Sequence, residues 1–151
     1  MPESKKVMVI HGPNINQLGR REPELYGTKR LPDVNQELME LGQRLGLNVS
    51  TIQSNSEGEI IDSIQSAELN GFSAIIINPA GYTNTSIAIR DAIAGATLPA
   101  VEVHITNVFA REQFRQTMMT TGACTGMVCG FGVGSYAIAL RAVSSVLGGD
   151  E

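Results

Sequence analysis

The amino-acid sequence predicts an α/β protein built around one five-stranded parallel sheet with helices on both faces. Short apolar runs alternate with amphipathic stretches along the chain, and short loops join them. The length also fits, because 151 residues, of which 42% are hydrophobic, suit a single domain with one core. Five strands favour the order 2-1-3-4-5 in a three-layer sandwich, which is the flavodoxin-like arrangement.

Five apolar runs are the predicted strands. The first, "VMVI", ends at a Gly-Pro breaker, as expected of a short buried strand. The third is apolar throughout, which is typical of a central parallel strand that helices cover on both faces. The five runs span residues 7–10, 48–52, 73–78, 100–104 and 126–130.

Four longer stretches with helical spacing are the predicted helices. Asp33 is expected to cap the first, in which leucines recur up to Gly46. We expect a single domain over residues 1–151, with a polar lid loop at about 17–31 and a polar tail at 148–151. The other helices are predicted at 57–69, 86–94 and 135–147, with a shorter helical piece at 110–116.

The composition excludes several classes of function. Eleven basic and fifteen acidic residues give a net charge of −4, and no stripe of Lys or Arg suggests nucleic-acid binding. No apolar run approaches the roughly 18–20 residues that cross a bilayer, and the N-terminal apolar segment is too short for a signal peptide. We therefore expect a cytoplasmic protein without membrane contact. Two cysteines and two histidines are too few for a disulfide framework or an HExxH metal site.

Polar residues follow three of the predicted strands, at the sheet edge where ligands bind in such folds. Asn14 follows the first strand, Asn78 ends the third and His104 ends the fourth. This set suits a small polyhydroxylated or carboxylated ligand. The loop at 17–31 follows the first strand and can close over the same edge.

The lid loop carries an arginine and a tyrosine five residues apart, Arg21 and Tyr26. Tyrosine is a weak base at its reference pKa of about 10, but a neighbouring guanidinium favours the phenolate form. The pair therefore predicts a base that abstracts a proton next to a carbonyl. From the spacing alone, a tyrosine that packs the loop and an arginine that faces solvent remain the alternative.

His104 is the expected general acid at the same edge. Glu102 lies two residues earlier on the same side of the strand and can orient the ring. A base and an acid that meet at one strand edge describe a β-elimination, such as loss of water. A hydrogen-bonded structural histidine remains the alternative. Arg115 is a candidate clamp for a substrate carboxylate, whereas Arg111 is expected to be a surface residue.

Five motifs together resemble those of the type II 3-dehydroquinate dehydratases. They cover nearly the whole chain in the same order. The resemblance implies a flavodoxin-like, cofactor-free enzyme that forms a dodecamer built from trimers. The motifs are "GPNINQLGRREPELYG" (12–27), "SNSEGEIID" (54–62), "NPAGYTNTSIAIRDA" (78–92), "VEVHITNVFAREQFR" (101–115) and "CGFGVGSYAIALRA" (129–142).

The resemblance implies trans-elimination of water from 3-dehydroquinate to give 3-dehydroshikimate through an enolate. The reaction would serve the shikimate pathway toward chorismate or the breakdown of quinate. Tyr26 would take the proton from C2 with Arg21 as its cation. Asn14 would hold a water near the enolate oxygen, and His104 would protonate the departing hydroxyl. The implied substrate-binding residues are Asn78, Asn84, Asp91, Ile105, Thr106 and Arg115, and the aspartate position can act across a subunit boundary.

The sequence departs from the family pattern at the substrate site. The family's "THTS" is "TNTS" here, so Asn84 stands where a histidine is expected. Asparagine donates and accepts hydrogen bonds but cannot become cationic. Thr106 replaces a usual serine and keeps the hydroxyl. His11 precedes "GPN", where asparagine is common, and we hypothesise that it compensates for Asn84.

Two other functions stay open at this point. One is a catalytically impaired relative with a structural or regulatory role, for which Asn84 is the motivation. The other is a flavodoxin-like flavin-binding module. Such a module needs a loop after the first strand that cradles phosphate, and "HGPNINQLG" is a poor one.

Overall fold

In a computed structural model that describes residues 4–20 and 22–148, the chain forms a five-stranded parallel sheet. The strand order is β2-β1-β3-β4-β5, which confirms the predicted fold class and topology. The strands are β1 (Lys5–His11), β2 (Leu47–Gln53), β3 (Ala74–Asn78), β4 (Ala100–His104) and β5 (Gly126–Cys129).

Helices cover both faces of the sheet and complete the three layers. The helices are α1 (Pro23–Tyr26), α2 (Leu31–Arg44), α3 (Glu57–Leu69), α4 (Ile87–Gly95) and α5 (Gly134–Val146). The apolar sides of α2 and α5 share one buried cluster with the sheet, and those of α3 and α4 share another. No helix within residues 4–20 and 22–148 is long and apolar enough to cross a membrane.

The two clusters follow the alternation of side chains along the strands. In β1, Val7 and Val9 belong to the α2–α5 cluster, whereas Ile10 belongs to the α3–α4 cluster. All five residues of β3 are buried, as its continuous apolar run predicted. Because the sheet is covered on both faces, polar chemistry is confined to its edges and ends.

Three local predictions are wrong. Asp33 does not cap α2, because the helix already begins at Leu31 and Pro32 is tolerated in its first turn. The Asp33 carboxylate instead accepts a hydrogen bond from the backbone N–H of Arg30. The helical piece expected at 110–116 is two separate 3₁₀ turns, Val108–Ala110 and Gln113–Gln116. The segment at 17–31 also contains one helical turn, α1.

The carboxyl ends of β1 and β3 approach each other closely. The backbone N–H of Gly12 donates to the Asn78 carbonyl at 2.8 Å. A Cβ at position 12 would lie 2.7 Å from that oxygen, so the approach requires glycine. Asn14 and Ala80 have φ values of 70° and 53° at the same edge. For L-residues this left-handed backbone is uncommon, and it clusters at functional sites.

Candidate active site

A cavity of about 180 Å³ lies at the carboxyl ends of β1, β3 and β4. Its size suits a small ligand rather than a dinucleotide. The structure brings eight of the predicted site residues together in its lining: Asn14, Tyr26, Asn78, Asn84, His104, Ile105, Thr106 and Arg115.

The other two predicted site residues are Arg21 and Asp91. Arg21 lies outside the residues that the structure describes. Asp91 is exposed on α4 and does not contribute to the cavity of its own chain. The sequence pattern therefore located the strand-end residues, whereas Asp91 is not assembled with them in a single chain.

His104 is held by a buried carboxylate. Its Nε2 lies 2.8 Å from Oε2 of Glu102, which is fully buried. The hydroxyls of Thr120 and Thr121 also donate to Glu102. With three donors around it, the carboxylate is an acceptor and His104 carries hydrogen on Nε2. Glu102 thus orients the ring as predicted, and Nδ1 is the ring nitrogen that it leaves for proton transfer.

No sequence pattern indicated the two threonines that support Glu102. They lie in and beside the 3₁₀ turn Thr121–Ala123, which precedes β5. That turn packs against α4 and so reaches the same face of the sheet as Glu102. A buried carboxylate needs several hydrogen-bond donors, and this requirement was the only available signal.

Tyr26 meets a cation that the sequence analysis assigned to the surface. Nη1 of Arg111 donates to the Tyr26 hydroxyl at 2.8 Å and lies 3.3 Å from Oγ1 of Thr106. The guanidinium carbon lies 5.6 Å from the centre of the Tyr26 ring. Only 14% of the Arg111 side chain is exposed. The surface assignment for Arg111 is therefore wrong, because the residue falls between the two 3₁₀ turns and points into the cavity.

Arg115 lines the cavity from the second of these turns. Its Nε donates to both oxygens of Glu112, at 3.1 and 3.2 Å. The pKa of Glu112 is lowered, first by a hydrogen bond to its own backbone and then by Arg115. The Nε edge of the guanidinium is thus occupied, which leaves the Nη edge for a ligand anion.

Asn84 joins two walls of the cavity. Its Nδ2 donates to the backbone carbonyls of Arg115 and Thr117, at 3.1 and 3.0 Å. Both hydrogens of the amide are therefore used, and Oδ1 is the group that remains for a ligand. At this position the chain offers an acceptor, where a histidine would offer a donor or a charge.

His11 lies behind the cavity instead of inside it. The residue is fully buried and does not line the cavity. Its ring bonds to Tyr136 and Asn35 on the α2–α5 face of the sheet. The compensation hypothesis for Asn84 is therefore wrong. The alternation along β1 held the signal, since His11 shares its face with Val7 and Val9.

The cavity has the parts of an acid–base site. The hydroxyl of Tyr26 accepts a hydrogen bond from Arg111, and Nε2 of His104 is bonded to the Glu102 carboxylate. Tyr26 and His104 line the same cavity. Amide and guanidinium groups add places for an anionic, hydroxylated ligand. Fold and cavity together define a flavodoxin-like α/β enzyme.

Comparisons with known proteins identify the family. A model described as "Dehydroquinase class II" matches residues 5–144. The 3-dehydroquinate dehydratase of Geotalea daltonii is 53% identical over 138 residues, which cover 91% of this chain and 95% of that protein. The chain therefore belongs to the class II dehydroquinase family.

Two crystal structures extend the likeness to the fold. The type II dehydroquinase from Butyrivibrio crossotus is 41% identical with a TM-score of 0.90, over 92% of this chain and 97% of that one. The type II dehydroquinase from Propionibacterium acnes is 38% identical with a TM-score of 0.91, over 96% and 99%. These values agree with the flavodoxin-like topology described above.

Proposed function

We propose that this chain is a hydro-lyase that removes water from 3-dehydroquinate to give 3-dehydroshikimate. The observation that carries the proposal is the pairing of Tyr26 with Arg111 and of His104 with Glu102 around one small cavity. The relatives named 3-dehydroquinate dehydratase supply the substrate. The reaction belongs to the shikimate pathway.

Tyr26 acts as the base in this proposal. Its oxygen takes the C2 proton of the substrate, and the electron pair moves into the neighbouring carbonyl to form an enolate. Arg111 donates to the same oxygen and balances the negative charge that the base carries before transfer. Asn14 holds a water near the enolate oxygen. Arg21 remains a predicted second cation at the base.

His104 acts as the acid. As the enolate collapses, the C1 hydroxyl leaves and takes a proton from the imidazole, so that water departs. Glu102 keeps the ring oriented and balances its positive charge while it holds that proton. The chemistry consists of two proton transfers and one bond cleavage, and it draws on no cofactor.

The remaining lining residues bind the substrate. Asn78 and the Ile105–Thr106 segment meet its carboxylate and hydroxyls, and the Nη edge of Arg115 adds a positive charge. Asn84 accepts a hydrogen bond from a substrate hydroxyl through Oδ1, since its own hydrogens are used. A histidine is therefore not required at position 84 for recognition of a hydroxyl group.

Assembly and location are further parts of the proposal. The chain is a single catalytic domain in which residues 17–31 close as a lid over the cavity. Asp91, exposed on α4, serves the cavity of a neighbouring subunit in a dodecamer built from trimers. A cytoplasmic location fits the two free cysteines.

The test is direct addition of 3-dehydroquinate to the purified protein. The product is conjugated, so its ultraviolet absorbance should rise with time. Arg111→Lys should lower kcat more than Arg115→Lys does, because Arg111 donates to the phenol oxygen whereas Arg115 is bonded to Glu112. Absence of turnover by the unmodified chain would reject the enzyme in favour of an inactive relative. A coloured preparation with bound flavin would reject it in favour of a flavin-binding module.

A further inference from the structure

A chain of hydrogen bonds runs behind the cavity on the α2–α5 face of the sheet. Nδ2 of Asn78 lies 2.9 Å from the Tyr136 hydroxyl, which lies 3.0 Å from Nδ1 of His11. Nε2 of His11 lies 2.8 Å from Oδ1 of Asn35. Asn78, Tyr136 and His11 are each at most 3% exposed. Of these residues only Asn78 lines the cavity, so the series of hydrogen bonds connects a binding residue to the protein interior.

One backbone group determines which atoms donate and which accept in this series of hydrogen bonds. The N–H of Ala80 can only donate, and it donates to Oδ1 of Asn78 at 3.0 Å. The Asn78 amide therefore turns its NH₂ group toward Tyr136, whose oxygen accepts. Oδ1 of Asn35 can only accept from Nε2 of His11, so in a neutral ring Nδ1 carries no hydrogen and the Tyr136 hydroxyl donates to it.

The direction of these hydrogen bonds also determines the tautomer and the protonation state of His11. Nδ1 accepts and therefore carries no hydrogen, so the neutral ring bears its hydrogen on Nε2 and donates to Asn35. A protonated ring would aim a second donor at the Tyr136 oxygen and leave the hydroxyl hydrogen without this acceptor. Burial, opposed in part by the bond to Asn35, lowers the pKa of His11 to about 4. The ring is thus neutral at pH 7.

We propose that His11 and Tyr136 are positioning residues that hold Asn78 with an N–H, and not its carbonyl oxygen, toward the substrate. The inference rests on the proposed function, since the ligand is taken to be 3-dehydroquinate. An amide nitrogen has two hydrogens, and only one is directed at Tyr136. The other suits an oxygen of the substrate carboxylate or hydroxyls. The two residues act through Asn78 and do not touch the substrate.

The first test reads the state of His11 without reference to activity. The full chain is labelled with ¹⁵N at histidine and studied by solid-state NMR at pH 7. It contains only two histidines, and the signals of His11 are those lost in His11→Asn. We expect a neutral ring with hydrogen on Nε2. A ring with hydrogen on Nδ1, or an imidazolium, would overturn the proposal.

The second test separates binding from chemistry. His11→Leu and Tyr136→Phe remove the acceptor and the hydroxyl, and each should raise the KM for 3-dehydroquinate about tenfold, as one misdirected hydrogen bond implies. The kcat should stay within about threefold, because neither residue reaches the reacting atoms. His11→Asn keeps an acceptor and should hold KM within about threefold of the unmodified chain.

The outcomes distinguish this proposal from the enzyme assignment. The proposal would be contradicted if KM were unchanged in both His11→Leu and Tyr136→Phe. It would also be contradicted if KM rose tenfold in His11→Asn, because that variant keeps a hydrogen-bond acceptor at position 11. A uniform loss of kcat with a lowered melting temperature would indicate a merely structural role and would also contradict it. Absence of turnover by the unmodified chain would instead reject the proposed function, and the NMR result would still decide the direction of the hydrogen bonds.

Discussion

The cavity has two walls, which differ in how their functional side chains are held in place. The inner wall is formed at the strand ends by Asn78 and His104, with Glu102 behind His104, and all three residues are at most 6% exposed. The outer wall is formed by Tyr26 and Arg111, which come from two surface segments 85 residues apart. Tyr26 is half-buried. The acid is thus fixed by the folded core, whereas the base lies where two surface segments meet.

This difference indicates which side chains the fold holds in place before the substrate binds. His104 is held by Glu102, whose carboxylate also accepts from Thr120 and Thr121, so the geometry of the acid is set before substrate arrives. We expect the outer wall to open for substrate entry, because it is formed by two surface segments and not by the sheet. Changes in the outer wall should therefore affect activity with little effect on stability. Changes in and behind the inner wall should affect both.

The largest expected effect is that of Tyr26→Phe. Loss of the base should lower kcat about 10³-fold, within the range that general base catalysis contributes. The melting temperature should change little, since the hydroxyl lies on a half-buried side chain at the surface. The dehydration assay and calorimetry measure the two effects. A large loss of stability in this variant would contradict the separation of the two walls.

The second prediction concerns acid stability behind the inner wall. The pKa of His11 is lowered from 6.5 to about 4 by burial, so the unfolded chain binds a proton that the folded chain does not. The contribution of His11 is complete above about pH 6.5 and is lost as the pH falls toward about 4. That loss amounts to roughly 3 kcal/mol of unfolding free energy.

Chemical denaturation between pH 4 and 7.5 measures this effect, and His11→Asn is the control. The variant has no group at position 11 that titrates in this range, so its unfolding free energy should depend less steeply on pH. The hydrogen-bond partners of the ring do not interfere. Burial raises the pKa of Tyr136, and Asn35 does not titrate. Equal slopes for the two proteins would show that His11 is not the cause.

The third prediction compares Arg111 of the outer wall with Arg115, which also lines the cavity. Arg111→Lys should lower kcat about tenfold to a hundredfold, because a charge-assisted hydrogen bond to the phenol oxygen is weakened. Arg115→Lys is the matched control, four residues on, where the guanidinium is bonded to Glu112. It should raise KM and leave kcat within about threefold, as loss of a binding contact does. The reverse pattern would assign the base-supporting role to Arg115.

The smallest expected effect is that of Asn84→Ala. The variant loses two hydrogen bonds to backbone carbonyls, of which Thr117 lies in an exposed segment. We expect the unfolding free energy to fall by about 1 kcal/mol and KM to rise about threefold as the outer wall loosens. Asn84→Asp, which keeps the size but replaces the donor by an anion, should have the larger effect on KM. Equal values for the two variants would argue against a role for the amide hydrogens.

The sequence predicted the inner wall better than the outer wall for a physical reason. Strand ends follow from apolar runs and from period-two alternation, so the edge that holds Asn78 and His104 was accessible, as was the contact of Glu102 with the ring. Arg111 was missed because its position depends on two short 3₁₀ turns without a repeating pattern. Its contact with Tyr26 spans 85 residues, and local sequence carries no sign of such a pairing.

His11 illustrates a signal that was present but unused. Its place at the end of β1 suggested that His11 faces the cavity. Side chains alternate along a strand, however, so His11 lies on the same face as Val7 and Val9, which belong to the α2–α5 cluster. The partners on α5 and α2, Tyr136 and Asn35, could not be inferred because helix packing sets them. Parity along β1 therefore placed His11 on the face of the sheet that α2 and α5 cover.

The most direct measurement is a crystal structure of the chain with an unreactive analogue of 3-dehydroquinate in the cavity. We predict that the Tyr26 oxygen lies within about 3.5 Å of the carbon that corresponds to C2, the separation of a productive complex. Nδ1 of His104 should face the C1 oxygen, and Arg111 should still donate to the phenol oxygen. An analogue bound with the Tyr26 oxygen far from that carbon, or with His104 turned away from C1, would contradict the account.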